Sequence, residues 1–154
     1  MTEHAERACQ LFVQGRNCAQ AVFASFCDVT GLDQETALLL SSSFGGGMGR
    51  MREVCGACSS MFMVAGLLYG YSSQDDNEEK SAHYRRIQEL AAQFKAEHGT
   101  IICRELLSGL KVSSEPVAEL RTEAYYKARP CIRFVKTAAE ILDGYLAENR
   151  PTRR

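Results

Sequence analysis

The chain has 154 residues, of which 45% are hydrophobic and 24% charged, and its formal net charge is −1. This length suits one domain over residues 1–154, and the composition excludes a disordered chain. The 18 Lys and Arg against 19 Asp and Glu exclude the basic excess of a nucleic-acid binder, and no polybasic run serves an anionic membrane surface.

The opening residues 1–12 lack a basic segment followed by an apolar core, so no secretory signal is expected there. The longest nearly apolar stretch, 61–69, falls far short of the ~20 residues that span a bilayer, so no membrane insertion is expected. A cytoplasmic protein is the simplest expectation, and in that compartment thiols stay mostly reduced.

Taken in chain order, helix signals dominate and hairpin signals are absent. A first helix is predicted over about 2–14, stopped by Gly15. Asn17 caps a second that runs through Phe26 to about Thr30, with Gly31 after it. Asp33 caps a third, in which Ala37, Leu38, Leu39 and Leu40 are expected to be mostly buried. The glycine-rich stretch Phe44-Gly45-Gly46-Gly47-Met48-Gly49-Arg50 reads as a loop. The helix after it, from near Val54 or Cys55 to Tyr69, is apolar on all faces and therefore central.

Residues 71–77 form a polar linker. Asp76 and Glu79 form a capping box for a helix whose Ile87, Leu90, Ala91 and Phe94 make one apolar stripe. His98-Gly99 ends it. Thr100 is expected to cap a short helix over 101–107, closed by Gly109. Over 113–128 the signals are weak, with Pro116 suited to the first turn of a short helix. Pro130 starts a last long helix that turns Phe134, Ala138, Ile141, Leu142 and Tyr145 inward. The sum is an all-α helical bundle with a glycine-rich loop before its central helix.

Seven cysteines are the compositional anomaly, and an odd number cannot pair completely. Cys18, Cys55, Cys103 and Cys131 each fall at the start of a predicted helix, with Cys58 one turn past Cys55. Cys9 and Cys27 sit mid-helix or late. Free N–H groups and about half a positive charge at a helix start favour thiolate, which is both nucleophile and metal ligand. Convergence of four such ends would make a site of activated sulfurs; plain packing of buried thiols is the competing reading.

Cys55-Gly56-Ala57-Cys58 is a C-x-x-C, in which the first thiol attacks and the second resolves a mixed disulfide. No second close pair completes a zinc site, and the compact spacing of an iron–sulfur cluster is missing, although four cysteines suffice for either. His4, His83 and His98 lie on polar segments and read as solvated. Gly45, Gly46, Gly47 and Arg50, with Arg52 nearby, are candidates for a small-anion or substrate site beside Cys55. The alternative is that these glycines let the backbone pass close to neighbouring helices or to sulfur. Met48, Met51, Met61 and Met63 cluster near the loop and read mostly as core.

Asn17-Cys18-Ala19-Gln20-Ala21-Val22, Phe44-Gly45-Gly46-Gly47-Met48-Gly49, Cys55-Gly56-Ala57, Cys103-Arg104-Glu105-Leu106 and Cys131 together resemble the C_GCAxxG_C_C family of bacterial and archaeal proteins. The resemblance covers about Gly15 to Ile141. It identifies Cys18, Cys55, Cys103 and Cys131 as the family's four cysteines. It departs from the motif at Ser60, which replaces a glycine, and at Cys58, an added thiol. The resemblance implies a redox role and no particular reaction, and it permits an iron–sulfur cluster.

Three expectations follow. The first is a thiol–disulfide oxidoreductase in which Cys55 attacks and Cys58, Cys18, Cys103 or Cys131 resolves, with helix dipoles lowering the thiol pKa values. The second is a binding module whose four family cysteines hold an iron–sulfur cluster or zinc. The third is an interaction bundle with inert thiols. A redox partner of unspecified identity and a homodimer are compatible with the sequence.

Overall fold

The computed structural model describes residues 1–152. Among them are nine α-helices: α1 (Glu3–Val13), α2 (Cys18–Ser25), α3 (Cys27–Thr30), α4 (Gln34–Ser41), α5 (Gly56–Tyr69), α6 (Asn77–His98), α7 (Cys103–Leu106), α8 (Glu123–Ala128) and α9 (Cys131–Glu148). One 3-10 turn, Ser42–Phe44, follows α4, and no β-strand occurs among the described residues.

Local chemistry sets most of the helix starts. The side chains of Thr2, Asn17, Asp33 and Asp76 accept from the amides of Ala5, Gln20, Thr36 and Glu79, so each satisfies one otherwise orphaned donor. At α2 the cap is reciprocal, because Gln20 accepts from the Asn17 amide. Gly31 and Gly99 end α3 and α6 with φ of 79° and 88°, a left-handed turn that glycine takes without steric cost.

Helix α5 runs through the middle and packs on α2, α6 and α9, while α1 lies against α2 and α9. Cys58, Met61, Val64 and Ala65 of α5 are fully buried, and Leu68 is nearly so. Burying each large apolar side chain contributes roughly 1.5–3 kcal/mol, and Phe26, Leu90, Phe94 and Leu142 add theirs from the surrounding helices. Ser60 joins α5 to α2 directly: its hydroxyl donates to the Ala19 carbonyl at 2.6 Å with no solvent access. A small residue is kept where helices touch, and its polar atom is satisfied.

Several expectations are corrected. The second predicted helix is interrupted at Phe26, whose φ of −104° and ψ of 18° leave the helical region while its ring is fully buried. In α4, Ala37 is buried but Leu39 and Leu40 are 66% and 54% exposed, because α4 packs on α2 through one narrow side only. Of the four methionines, Met61 is core but Met51 is 59% exposed.

Helix α7 begins at Cys103, not 101. Ile101 and Ile102 are taken up in an antiparallel bridge, Val54 to Ile102, and Thr100 accepts from the Ile102 amide in a local turn. No helix starts at Pro116; the short helix of that region is α8, capped by Thr122.

The histidines are not solvated. His83 is buried, His4 bridges Asp143 at 2.6 Å and Asp28 at 3.1 Å, and His98 meets the Thr137 hydroxyl at 2.9 Å. Each closes a contact between segments distant in sequence or fills a gap beside an aromatic ring.

Candidate functional site

Cys18, Cys103 and Cys131 are the first residues of α2, α7 and α9, and Cys55 is the N-cap of α5. The bundle brings these four helix starts to one place. All four cysteines line a cavity of about 50 Å³, walled by Phe12, Leu106, Leu107 and Phe134. That volume holds a few waters or a slender chemical group. Cys58, in the first turn of α5, has no solvent access and is hydrogen-bonded to Cys55. Cys9 and Cys27 do not line the cavity, although Cys27 proves to open the short α3.

The approach depends on two features. The first is the bridge at Val54 and Ile102. Cys55 donates its amide to the Ile101 carbonyl at 2.8 Å, and Cys103 donates to Glu53 at 2.6 Å. Residues 55 and 103 are therefore diagonal neighbours on one face of an antiparallel pair, an arrangement that spaces residues by about 7–8 Å. The second is glycine. A Cβ on Gly56 would lie 2.6 Å from the Cys18 sulfur, and one on Gly47 would lie 2.7 Å from the Cys103 Cβ. A side chain at either position would collide with the site.

The backbone after Gly45 is unusual. Gly46, Gly47, Met48, Gly49, Arg50 and Arg52 all have φ between 57° and 72°. Three of these are not glycine, and such residues take this conformation only where their surroundings impose it. The turn is closed by its own amides, with Arg50 donating to Gly45, Arg52 to Gly46 and Glu53 to Gly47. One result is that the Gly46 amide points at the Cys18 sulfur and opposes the effect of burial on that thiol.

The thiols are not activated in the expected sense. Burial, joined by the neighbouring Cys55, pushes Cys18 up to about 12. Cys131 is also pushed to about 12 by burial and by the other three sulfurs. Cys55 is held well above the free value by its hydrogen bond with Cys58 and by burial. A helix start offers at most ~2 kcal/mol to an anion, less than burial takes away when it moves a pKa by several units. The dipoles are present, but desolvation outweighs them.

Cys103 differs in one respect. Burial raises it as well, but the Arg52 guanidinium donates to its sulfur at 3.7 Å and opposes that rise. Arg52 is itself only 6% exposed and is fixed by two bonds to the Ser113 carbonyl, at 3.0 and 2.8 Å.

Beside the cysteine cavity lies a wider cleft of about 510 Å³. Gly45, Gly46 and Arg50 line it, together with Arg52, Arg121, Arg129, Glu119 and Tyr125. Arg52, Arg121, Tyr125 and Arg129 face both spaces, so the cavities adjoin. Gly47 lines neither and turns toward Cys103. Arg121 and Arg129 are absent from the set read from sequence. They arrive because residues 108–122 fold back over the glycine turn, tied by Ser113 to Arg50 and Arg52 and by Glu119 to Arg50 and Arg129. The local signal was weak: Arg129 precedes Pro130-Cys131, and Arg121 precedes the Thr122 cap.

The four family cysteines do not fit a metal ion or cluster as arranged. Among the described residues, no three of His, Cys, Asp and Glu stand close enough together to hold a metal. The Arg52 guanidinium occupies one side of the Cys103 sulfur, where a metal–thiolate bond would place a second positive charge. No described helix is long and apolar enough to cross a membrane.

A family model described as "Putative redox-active protein (C_GCAxxG_C_C)" matches residues 16–145. No curated protein and no solved structure gives a match.

Proposed function

This chain belongs to the C_GCAxxG_C_C redox family, and from that membership and the gathered sulfurs we propose that it exchanges electrons with a small substrate by thiol–disulfide chemistry. The observation that carries the reading is that Cys18, Cys55, Cys103 and Cys131, from four separate helix starts, line one small cavity. Inert packing thiols have no reason to share a cavity that opens beside an arginine-lined cleft.

Cys103 is the entry thiol in this reading, in place of Cys55, because Arg52 stabilises its thiolate and Cys55 is bound to Cys58. The Cys103 thiolate attacks a substrate disulfide. A bond forms between Cys103 and one substrate sulfur, and the other leaves as a thiolate. Cys55 loses its proton and attacks the Cys103 sulfur, which forms a Cys55–Cys103 disulfide and expels the second substrate thiolate. Cys58 then attacks Cys55, moves the disulfide to the Cys55–Cys58 pair, and returns Cys103 as a thiolate. Two protein thiols lose two electrons and two protons, and one substrate disulfide becomes two thiols. A reducing thiol substrate runs the sequence backwards. Closing Cys55 onto Cys103 requires a movement of a few ångströms from the diagonal spacing to the ~4 Å between bonded Cβ atoms.

The test treats folded, fully reduced protein with a small disulfide, blocks remaining thiols, and maps the products by mass spectrometry. The expected product is a reversible disulfide among Cys55, Cys58 and Cys103. In Cys55→Ser the Cys103–substrate mixed disulfide accumulates. Modification confined to unfolded protein, or stoichiometric iron or zinc in anaerobically purified protein, overturns the reading.

A further inference from the structure

We propose that the arginine-lined cleft selects small disulfides bearing carboxylate groups, and this rests on the thiol–disulfide reading of the adjoining cavity. Four arginines, Arg50, Arg52, Arg121 and Arg129, line the cleft against a single carboxylate, Glu119. The whole chain carries a net charge of −1, so positive charge is concentrated here. It is also desolvated. Arg52 is 6% exposed and the Arg129 side chain 9%, and fixed cations in a walled cleft act on a ligand more strongly than solvated ones.

Arg52 uses all three nitrogens on the Ser113 carbonyl and the Cys103 sulfur, and Arg121 donates to the Phe12 and Arg16 carbonyls, so the donors open to a ligand belong to Arg50 and Arg129. Glu119 is shared between Arg129 at 2.7 Å and Arg50 at 3.3 Å. The Arg50 side chain lines the cleft, and its Nε is buried behind that wall with no hydrogen-bond partner, so part of its charge is left uncompensated there. Arg121 is stacked on Phe12 and Tyr125, with its guanidinium carbon 4.7 and 4.8 Å from their centroids, and its two terminal nitrogens are taken by backbone carbonyls, so it adds fixed positive charge to the wall while Arg129 offers the fork. Planar, pre-oriented guanidinium forks suit carboxylate oxygens.

Size narrows the class further. The cleft, about 510 Å³, has the volume of a metabolite site. The cysteine cavity beyond it is only about 50 Å³, so the group that reaches sulfur must be unbranched and slender. A carboxylate held among the arginines and a short alkyl disulfide pointing toward Cys103 meet both conditions. A bulky or cationic disulfide meets neither.

Three small disulfides of similar length serve as probes: dithiodiglycolate, which is dianionic, bis(2-hydroxyethyl) disulfide, which is neutral, and cystamine, which is dicationic. Their rates with the reduced, folded protein are each divided by the rate with an uncharged free thiol, 2-mercaptoethanol, at the same salt. The expected order is anionic, neutral, cationic, with the anionic probe favoured over the neutral one by about tenfold and the preference shrinking as salt rises from about 0.02 to 0.5 M. Arg50→Gln reduces the anionic-to-neutral ratio severalfold, with its fold checked by circular dichroism. Equal normalised rates for the three probes in the wild-type protein, or an anionic preference that salt leaves untouched, overturn the inference and leave the thiol reading standing. Failure of the neutral probe to react with folded protein overturns the thiol reading, and the selectivity falls with it.

Discussion

Substituting alanine for glycine at two places in helix α5 should have opposite effects. At Gly66 an added Cβ meets nothing within 4 Å. The change removes the conformational freedom of glycine from the helix interior, which is worth up to ~1 kcal/mol in favour of the folded state. At Gly56 the added Cβ would lie 2.6 Å from the Cys18 sulfur, 2.7 Å from the Phe44 carbonyl oxygen and 3.1 Å from the Ala19 Cβ. The thiol can rotate, but the carbonyl is backbone and the Ala19 methyl is held by helix packing. Overpacking of this kind costs about 1–3 kcal/mol, more than the helix preference of alanine returns. Gly66→Ala should therefore raise the melting temperature by about 2–4 °C, and Gly56→Ala should lower it by a similar or larger amount. Thermal unfolding followed by circular dichroism measures both. Alkylation of Cys18 under native conditions reports the local effect, since displacing the sulfur opens the cavity and speeds labelling in Gly56→Ala alone. If the two variants shift stability in the same direction, the close approach of α5 to Cys18 is not what positions the site.

Cys18 and Cys131 remain protonated in the folded chain to about pH 12, against a free value of 9.0. Below pH 9 the folded and unfolded chains both keep these protons and neither thiol affects stability relative to neutral pH. As pH rises from about 9 to 12, the unfolded chain releases protons that the folded chain retains, so stability should fall across that window. Urea midpoints measured from pH 7 to 11 test this, and Cys18→Ala should flatten the alkaline decline. Arg52→Gln removes the guanidinium that opposes burial at Cys103, so iodoacetamide should alkylate that thiol about tenfold more slowly at pH 8; an unchanged rate would show that Arg52 does not act on the sulfur. Leu90→Ala should cost about 2–5 kcal/mol in urea unfolding, whereas Leu39→Ala, at a position 66% exposed, should stay within about 0.5 kcal/mol.

What could be read from the sequence was what short-range chemistry decides. Asn17, Asp33 and Asp76 cap the helices that follow them, Gly31 and Gly99 end theirs, and Pro130 precedes the last long helix. Asn17 and Pro130 make the places of Cys18 and Cys131 at helix starts legible, whereas Cys55 and Cys103 open helices that no side chain caps. The effect of those starts on the thiols was not legible, because the helix field is local whereas desolvation depends on Phe12, Leu107 and Phe134 closing in from other helices. The exposure of Leu39 and Leu40 escaped for a related reason, since periodicity does not say which side of α4 finds a neighbour. The pairing of Val54 with Ile102 joins residues far apart in sequence through a single bridge, too short to leave an alternating pattern. Arg121 and Arg129 reach the site only after residues 108–122 have folded back, a path set by the Ser113 and Glu119 contacts.

The run of positive φ angles at Met48, Arg50 and Arg52 gives chemical synthesis a use for mirror-image amino acids in this protein. At these three positions the backbone alone suits a D-residue, while the natural L-residue gives up roughly 1–2 kcal/mol. Replacing Met48 with D-methionine would keep the thioether and relieve the backbone. The inversion belongs at Met48 alone, because at Arg50 and Arg52 it would redirect guanidiniums that reach Glu119, Ser113 and the Cys103 sulfur.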